Sequence, residues 1–345
     1  MSLSQEQITI AVTVYSRRHY LKQAISSALN QTKPVRVLVV EDCGPDPEME
    51  SFVKGEFGSA IQYFRSQKRR GIFGNWNVCL DLCETEWISI LHDDDYLASN
   101  FVESMIELAR LAPGCGLYFG WTHLVNELGN PLPTVLHHVY KAMVDGKGNP
   151  LSGAEPWRNT GRWKPIDLGA VLYATAFQFP GQLFPVQLAK KLGGFRETSY
   201  FCGDWEMWAN LIADSGGAQT AEYVAFNRCH AGWDRGCTQI VATGRLLPTT
   251  IMQHKRVLAL MRRSKPIEFD RSIYTRGLPV SVRFLVQYGP LLPRYLFNYQ
   301  LKMFLLSRPP HWRYAFIQQC VRIGGAGFIH LASKLWSRRN SSVSQ

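Results

Sequence analysis

The sequence predicts an α/β fold in which a mostly parallel sheet carries helices on both faces, with a basic α-helical extension at the carboxyl end. Apolar runs of strand length alternate with segments of helical periodicity over about the first 115 residues, which is the order of a parallel sheet. Acidic residues stand directly after two of these runs. The last 105 residues carry 17 Lys and Arg but only two acidic residues, a net charge of +15, whereas residues 1–240 carry −4.

The first two strand–helix units have the clearest patterns. The run "ITIAVTVY" predicts a strand, and "VRVLVVED" predicts the next one. Between these runs, five apolar side chains share one face of a helix: Leu21, Ala24, Ile25, Ala28 and Leu29. Asp46 and Pro47 then supply an N-cap and a first-turn proline, so we expect a second helix to begin there.

Two further units complete the predicted parallel strands. "IQYF" predicts the third strand, a helix follows from about Ile72 to Cys83, and "WISIL" predicts the fourth strand. Ligands bind beyond the carboxyl ends of the strands in open α/β sheets. We therefore expect Tyr15, Asp42 and Asp93–Asp95, which follow three of the strands, to converge on one crevice.

The spacing of glycine and cysteine excludes several other classes of site. Neither G-x-G-x-x-G after the first strand nor G-x-x-x-x-G-K-[ST] occurs, so a metal and side chains must hold the phosphates of any nucleotide. The eight cysteines form no CxxC pair, and without a secretory signal we expect reduced thiols. Residues 168–189 are long enough for a membrane helix, but Pro180, Gly181 and Pro185 argue against one.

The acidic triplet Asp93–Asp95 ends an apolar strand in the segment "ISILHDDDYLAS". Three adjacent carboxylates repel one another, so solvent, a helix N-terminus or a metal ion must stabilise them. One interpretation is a solvated loop whose aspartates cap the next helix, which Ser99 or Asn100 can also cap. The other is a site for a divalent cation.

Four segments, in this order, resemble the family-2 glycosyltransferases with a GT-A fold: "TVYSRRHYLKQAISSALNQT", "VLVVEDCGPD", "EWISILHDDDYL" and "LGGFRETSYFCGDWEMWANL". The resemblance extends over about residues 8–235. It implies a GT-A-like fold, a nucleotide-sugar donor, a divalent metal (Mn²⁺ or Mg²⁺) and inversion at the anomeric carbon. The family's common metal motif is D-x-D-D, and His92 takes the place of its first aspartate here.

The resemblance implies a set of metal ligands. Asp94 matches the main ligand and Asp95 the second, with Asp93 as the alternative second ligand. His230, in "FNRCHAGWDRGCT", matches a histidine that completes the metal shell or touches the diphosphate, and Arg228 can assist it. Because a lone histidine is often structural, a packing role for His230 is the alternative.

The resemblance also implies a catalytic base. Asp204 matches the aspartate that removes the proton from the acceptor hydroxyl, although Gly203 replaces the glutamate that often precedes it. A carboxylate is sufficient, because proton removal occurs late, once the attacking oxygen has become acidic. Capping of the following helix is the alternative role for Asp204, and Glu206 would then be the candidate base.

Five residues match positions that bind the donor nucleotide: Thr13, Tyr15, Asp42, Asn77 and Asp93. Tyr15 would pack on the base, and Asp42 would accept a hydrogen bond from it. Core packing for Tyr15, a turn for Asp42 and helix stabilisation for Asn77 are the alternatives. Arg69 and Arg70 either reach the diphosphate or form a solvated basic turn.

The chain divides into a GT-A-like glycosyltransferase domain, residues 1–240, and a basic helical region, residues 241–345. Within the domain we assign residues 1–120 to the nucleotide-sugar half and residues 121–240 to the acceptor half. Long segments without regular structure are often functional, and the acceptor half contains one such segment. There, Trp157 and Trp163 offer flat faces that suit sugar rings.

The basic region combines positive charge with apolar helix faces around Phe304 and Phe328. This pattern suits attachment to an anionic membrane surface, and a helical appendage docked on the catalytic domain is the alternative. No recognised nucleic-acid motif occurs, so we do not expect a nucleic-acid partner.

We therefore predict an inverting, metal-dependent glycosyltransferase. It would move a sugar from a nucleoside-diphosphate sugar, expected to be a UDP-sugar, to a hydroxyl of a glycan or lipid-linked acceptor. The expected setting is surface polysaccharide or glycolipid synthesis at the cytoplasmic face of the membrane. A metal-dependent nucleotidyltransferase and a non-catalytic glycan-binding relative are the alternatives.

Overall fold

The computed structural model describes residues 3–131, 163–166, 168, 179–198 and 203–228. The strands are β1 (Ile8–Val14), β2 (Arg36–Glu41), β3 (Gln62–Arg65), β4 (Trp87–His92), β5 (Tyr96–Leu97), β6 (Leu117–Val125), β7 (Trp163–Ile166), β8 (Gln182–Pro185) and β9 (Gly217–Arg228). The helices are α1 (Arg18–Leu29), α2 (Met49–Phe57), α3 (Gly71–Leu82), α4 (Phe101–Leu111), α5 (Val186–Lys191) and α6 (Gly203–Ser215). The basic region 241–345 lies outside the described residues.

The strands form one sheet in the order β3-β2-β1-β4-β8-β6-β9-β5, and β7 pairs with β9. Strands β1 to β4 are all parallel, which confirms the four predicted strand–helix units. Beyond β4 the sheet is mixed: β8 runs antiparallel to both of its neighbours, whereas β6 and β9 are parallel. The fold is therefore the predicted α/β class, with its parallel part concentrated in the first half of the domain.

Helices cover both faces of the sheet, because successive side chains of each buried strand point to opposite sides. Ile10 and Val12 of β1 pack with α1, α2 and α4 on one face. Ala11 of the same strand packs with α3, α5 and α6 on the other face. Strand β1 is buried along its whole length, as a parallel strand covered on both sides should be.

The predicted start of the second helix was too early in the sequence. Helix α2 begins at Met49, not at Asp46 and Pro47. The Oδ1 atom of Asp46 accepts a hydrogen bond from the N–H of Glu48 at 2.9 Å, so Asp46 forms a turn ahead of the helix. Among the described residues, no helix has both the length and the hydrophobicity needed to cross a bilayer.

Candidate active site

Three neighbouring parallel strands end at the same edge of the sheet, and the predicted acidic and aromatic residues follow them. Strand β1 lies between β2 and β4, so Tyr15, Asp42 and Asp93 belong to adjacent strand ends. The carboxylate of Asp93 accepts a hydrogen bond from the backbone N–H of Tyr15. The predicted convergence of these residues on one crevice agrees with this arrangement.

His92, Asp94 and Asp95 can supply one ligand atom each to a metal ion. Their ligand atoms all lie within 4.8 Å of one another, the one such group of three in the part of the chain that the structure describes. Burial lowers the pKa of His92 to about 4, which keeps its imidazole neutral, as metal ligation requires. His92 was predicted only as a departure from the motif, although its place beside the triplet was a signal.

Asp95 is held in place by β9. Its carboxylate accepts hydrogen bonds from the Asn227 amide at 3.1 Å and from the backbone N–H of Arg228 at 2.9 Å. Only 2% of Asp95 is exposed. A metal contact from this residue would therefore use a carboxylate whose orientation is already fixed.

Arg228 is a buried anchor for the acidic triplet. Its guanidinium donates hydrogen bonds to four oxygen atoms from three segments: the carbonyls of Asp94, Asn126 and Glu127, and Oε1 of Gln23. Only 2% of the residue is exposed. These contacts position the triplet, so we do not assign Arg228 to the diphosphate.

The predicted nucleotide residues are held by backbone contacts. The carboxylate of Asp42 accepts N–H bonds from Arg70 at 2.6 Å and Gly71 at 2.9 Å, at the amino end of α3. Burial raises the pKa of Asp42, and these two N–H groups oppose that rise. The Arg69 guanidinium lies 4.3 Å above the ring of Tyr15. The hydroxyl of Thr13 donates to the carbonyl of Leu91 at 3.3 Å and so links β1 to β4.

Asn77 has a structural partner on a distant segment. Its Nδ2 atom donates to the carbonyl of Phe195 at 2.8 Å, and its Oδ1 atom accepts the N–H of Phe195 at 2.7 Å. This two-bond pairing ties α3 to the loop before α6. A contact between Asn77 and the nucleotide would require these two hydrogen bonds to break. We therefore do not include Asn77 in the candidate site.

The predicted base lies in the first turn of α6. Asp204 is partly buried, and burial raises the pKa of its carboxyl to about 6, while the N–H groups of Trp205 and of Asp204 itself oppose this rise. Glu206 is bound by the guanidinium of Arg196, with N–O distances of 2.8 and 3.0 Å. Asp204 is therefore better placed than Glu206 to accept a proton.

Gly203 is required by a close contact with α3. A Cβ atom at this position would lie 2.5 Å from Cε1 of Phe73, well inside van der Waals contact. The phenyl ring thus fills the space of a side chain at position 203. This contact accounts for the glycine where the family often has a glutamate.

Stacked rings connect the amino end of α6 with the metal-ligating group. Phe73 packs edge-on against Trp76 at 5.0 Å, and Trp76 stacks on Phe179 at 4.4 Å. The ring of Phe179 then stacks on His92 at 4.0 Å. Trp163, the predicted sugar platform, is partly buried and packs against the core cluster that includes α1 and α4 residues, and its sugar contact stays a prediction.

His230 and Trp157 lie outside the described residues. The predicted metal role of His230 and the predicted sugar contact of Trp157 stay predictions.

Comparisons with known proteins agree with this architecture. Residues 9–143 match the family model "Glycosyl transferase family 2". The uncharacterized glycosyltransferase RC0461 of Rickettsia conorii is 32% identical over 128 residues, which are 36% of this chain and 21% of that protein. RT0329 of Rickettsia typhi is 26% identical over 65% of this chain and 64% of its own length. Chondroitin synthase of Escherichia coli is 22% identical over 64% of this chain and 28% of its own length.

The chain thus spans less than two thirds of the length of these relatives.

Two solved structures share the fold at low identity. Staphylococcus aureus TarS in complex with UDP-GlcNAc is 13% identical, with a TM-score of 0.54 over 86% of this chain and 88% of that one. The mannosyltransferase PcManGT from Pyrobaculum calidifontis, in complex with GDP-Man and Mn²⁺, is also 13% identical, with a TM-score of 0.53 over 97% of this chain and 84% of that one. The match of residues 9–143 to the family model, the relatives and the shared fold together support a family-2 glycosyltransferase.

Proposed function

We propose that the protein is an inverting glycosyltransferase that transfers a sugar from a nucleoside-diphosphate sugar to an acceptor hydroxyl. The observation that carries the proposal is the grouping of Tyr15, Asp42 and the His92–Asp95 segment at adjacent strand ends of a family-2 domain. A second carboxylate, Asp204, has a raised pKa, and the rings of Trp76 and Phe179 connect the amino end of its helix with His92.

The nucleotide end of the donor would lie over β1 and β2. The Tyr15 ring offers a flat face to a base, and the buried carboxylate of Asp42 offers an acceptor beside it. Arg69 now covers that ring, so it must move when a base stacks there. We propose a UDP-sugar as donor, as in the complex of TarS.

The cation would be held by His92, Asp94 and Asp95, whose donor set fits a divalent metal. An imidazole ligand suits Mn²⁺ better than Mg²⁺, which is bound almost entirely by oxygen atoms. We therefore propose Mn²⁺ as the preferred ion. When bound, such an ion neutralises negative charge that develops on the leaving diphosphate.

Asp204 would take the proton from the acceptor hydroxyl as its oxygen attacks the anomeric carbon. A single base on the side opposite the leaving group gives one displacement, which inverts the anomeric configuration. The aromatic wall of Trp76 and Phe179 would exclude water from the neighbouring end of the site.

The acceptor is proposed to be a growing glycan or a lipid-linked sugar. The name of the E. coli relative, a chondroitin synthase, refers to polysaccharide synthesis. The basic region 241–345 supports a place at the cytoplasmic face of the membrane, where it would meet anionic lipid.

The catalytic assignment is tested by comparing Asp204→Asn with Asp214→Asn on the same helix. Asn keeps the capping ability of Asp204 but cannot accept a proton, so sugar transfer should fall by about 10²–10⁴-fold while UDP binding survives. Asp214, near the carboxyl end of α6, hydrogen-bonds to Ser215, and its replacement should leave transfer unchanged. Retained transfer in Asp204→Asn, with only a lower melting temperature, would reject the base role.

A further inference from the structure

Arg17 bridges two carboxylates of the acidic triplet. Its Nη1 atom lies 3.0 Å from Oδ1 of Asp93 and 3.2 Å from Oδ2 of Asp94. The side chain of Arg17 is 20% exposed, and those of Asp93 and Asp94 are 6% and 13% exposed. Charges that are this poorly solvated interact more strongly than ion pairs on the open surface.

Asp94 therefore takes part in two sets of contacts. It is paired with Arg17, and it also belongs to the metal-ligating group with His92 and Asp95. A divalent cation bound to Asp94 would stand next to a guanidinium on the same carboxylate. Because like charges at this separation repel, the guanidinium must leave Asp94 or the cation binds weakly.

We propose that Arg17 is an internal counter-ion of the donor site, which holds Asp93 and Asp94 in the absence of a divalent cation and competes with that cation for Asp94. The inference rests on the proposed function, because it concerns the cation of the donor site. A nucleoside diphosphate adds negative charge beside the cation and shifts this competition. The cation therefore enters together with the nucleotide.

The exchange requires only a side-chain movement. Arg17 is the N-cap residue of α1, and its carbonyl accepts the N–H groups of Tyr20 and Leu21, both at 3.2 Å, which fixes its backbone. Asp93 has a second anchor in the N–H of Tyr15. The guanidinium can leave Asp94 and remain on Asp93, where it stays at the edge of the donor crevice as a positioning residue.

Mn²⁺ binding to the full-length protein without nucleotide, followed by electron paramagnetic resonance of the free ion, tests the competition. Arg17→Gln removes the competing charge and should tighten Mn²⁺ binding on the order of tenfold. Arg17→Lys keeps the charge and should bind Mn²⁺ nearly as the wild type does. Arg18→Gln is the matched control, because Arg18 pairs with Asp46 and Glu48, outside the triplet, and its loss should change nothing.

Melting temperatures in chelator at pH 8 give a second readout that needs no cation. Arg17→Gln should lower the melting temperature by about 2–4 °C, because the two carboxylates then lose the counter-charge that Arg17 supplies. Adding Asp94→Asn to that variant should restore most of the loss, since one of the repelling charges is removed.

Either readout can overturn the proposal. Unchanged or weaker Mn²⁺ binding by folded Arg17→Gln would contradict the competition, and a further fall in melting temperature with Asp94→Asn would contradict the counter-ion role. If the wild type binds no Mn²⁺ even with UDP while the melting temperatures behave as expected, the metal in the proposed function fails and the counter-ion role stands.

Discussion

The catalytic role proposed for Asp204 is compatible with a structural role of the same carboxylate. The N–H groups of its own helical turn stabilise its ionised form, as a capping residue requires, while burial raises its pKa to about 6. The carboxyl is then largely protonated at pH 5 and ionised at pH 8. A base must be ionised to accept a proton, so the sign of the pH dependence is fixed.

We expect kcat at saturating donor and Mn²⁺ to rise with pH through about 6 and to level off above it. Below that pH the rate should fall roughly tenfold per pH unit, as protonation of a single base requires. The control is UDP binding at the same pH values, because loss of donor binding would imitate the effect. A flat kcat between pH 5 and 8 would contradict the assignment of Asp204.

The sequence was informative about residues whose role follows from their place on a strand, and uninformative about residues whose partners are far away. Tyr15, Asp42 and the triplet were predicted because each follows an apolar run. The pairing of Asn77 joins positions 118 residues apart. The bond from Arg228 to the carbonyl of Asp94 spans 134 residues, so its burial could not be predicted from neighbouring residues.

At the scale of elements, the turn between β2 and α2 is braced by a buried acid. Glu41 is fully buried, and its carboxylate accepts hydrogen bonds from Tyr63, Arg65 and the N–H of Gly44. Arg65 also donates to the carbonyl of Gly44 at 2.9 Å. Strand β3 thus fixes the turn that passes over the backbone of Tyr15.

Gly44→Ala tests this turn, and Gly55→Ala in α2 is its control. A Cβ on Gly44 would lie 1.9 Å from the carbonyl oxygen of Tyr15, so the turn must shift, which should cost about 1–3 kcal/mol in unfolding free energy. UDP binding should weaken too, because Tyr15 and Asp42 flank the turn. Gly55 has open space, and alanine there should stabilise the helix by about 0.5–1 kcal/mol. Equal stability of the two variants in urea unfolding would contradict the close contact.

Arg228 joins β9 to the acidic triplet and to α1, so its replacement should destabilise the packing of several elements. Arg228→Met removes the four hydrogen bonds that this buried guanidinium donates and should lower the unfolding free energy by at least about 3 kcal/mol. Arg110→Met, on the surface of α4 beside Glu107, is the control and should remain close to the wild type. Denaturant unfolding of both variants measures these free energies. A loss at Arg228→Met no larger than that at Arg110→Met would reject the anchoring role.

The first half of the fold was predictable because β1, β2 and β4 are mostly apolar runs. Strand β8 has four residues, and its buried Gln182 bonds through the side chain to both the N–H and the carbonyl of Ile90. Strand β9 mixes polar and apolar residues, because its neighbours β6, β5 and β7 surround it unevenly. Such strands are defined by their tertiary neighbours, and a periodic pattern does not reveal them.

At the scale of the whole molecule, charge divides the chain. Residues 241–345 carry +15, and each basic residue near an anionic leaflet contributes about 1 kcal/mol at moderate salt. We expect the full chain to sediment with anionic vesicles but not with neutral ones, and deletion beyond about residue 290 to release it. Failure of the intact protein to bind anionic vesicles at low salt would remove the membrane proposal.

The central claim is that the acidic triplet and a divalent cation together hold the diphosphate of the donor. Isothermal titration calorimetry of UDP tests it most directly, with Mn²⁺ or with chelator, in the wild type and in Asp94→Asn. We expect measurable binding only for the wild type with Mn²⁺, because no glycine-rich phosphate loop is present to replace the cation. Equal UDP affinity in Mn²⁺ and in chelator, or undiminished Mn²⁺-dependent binding by folded Asp94→Asn, would contradict the claim.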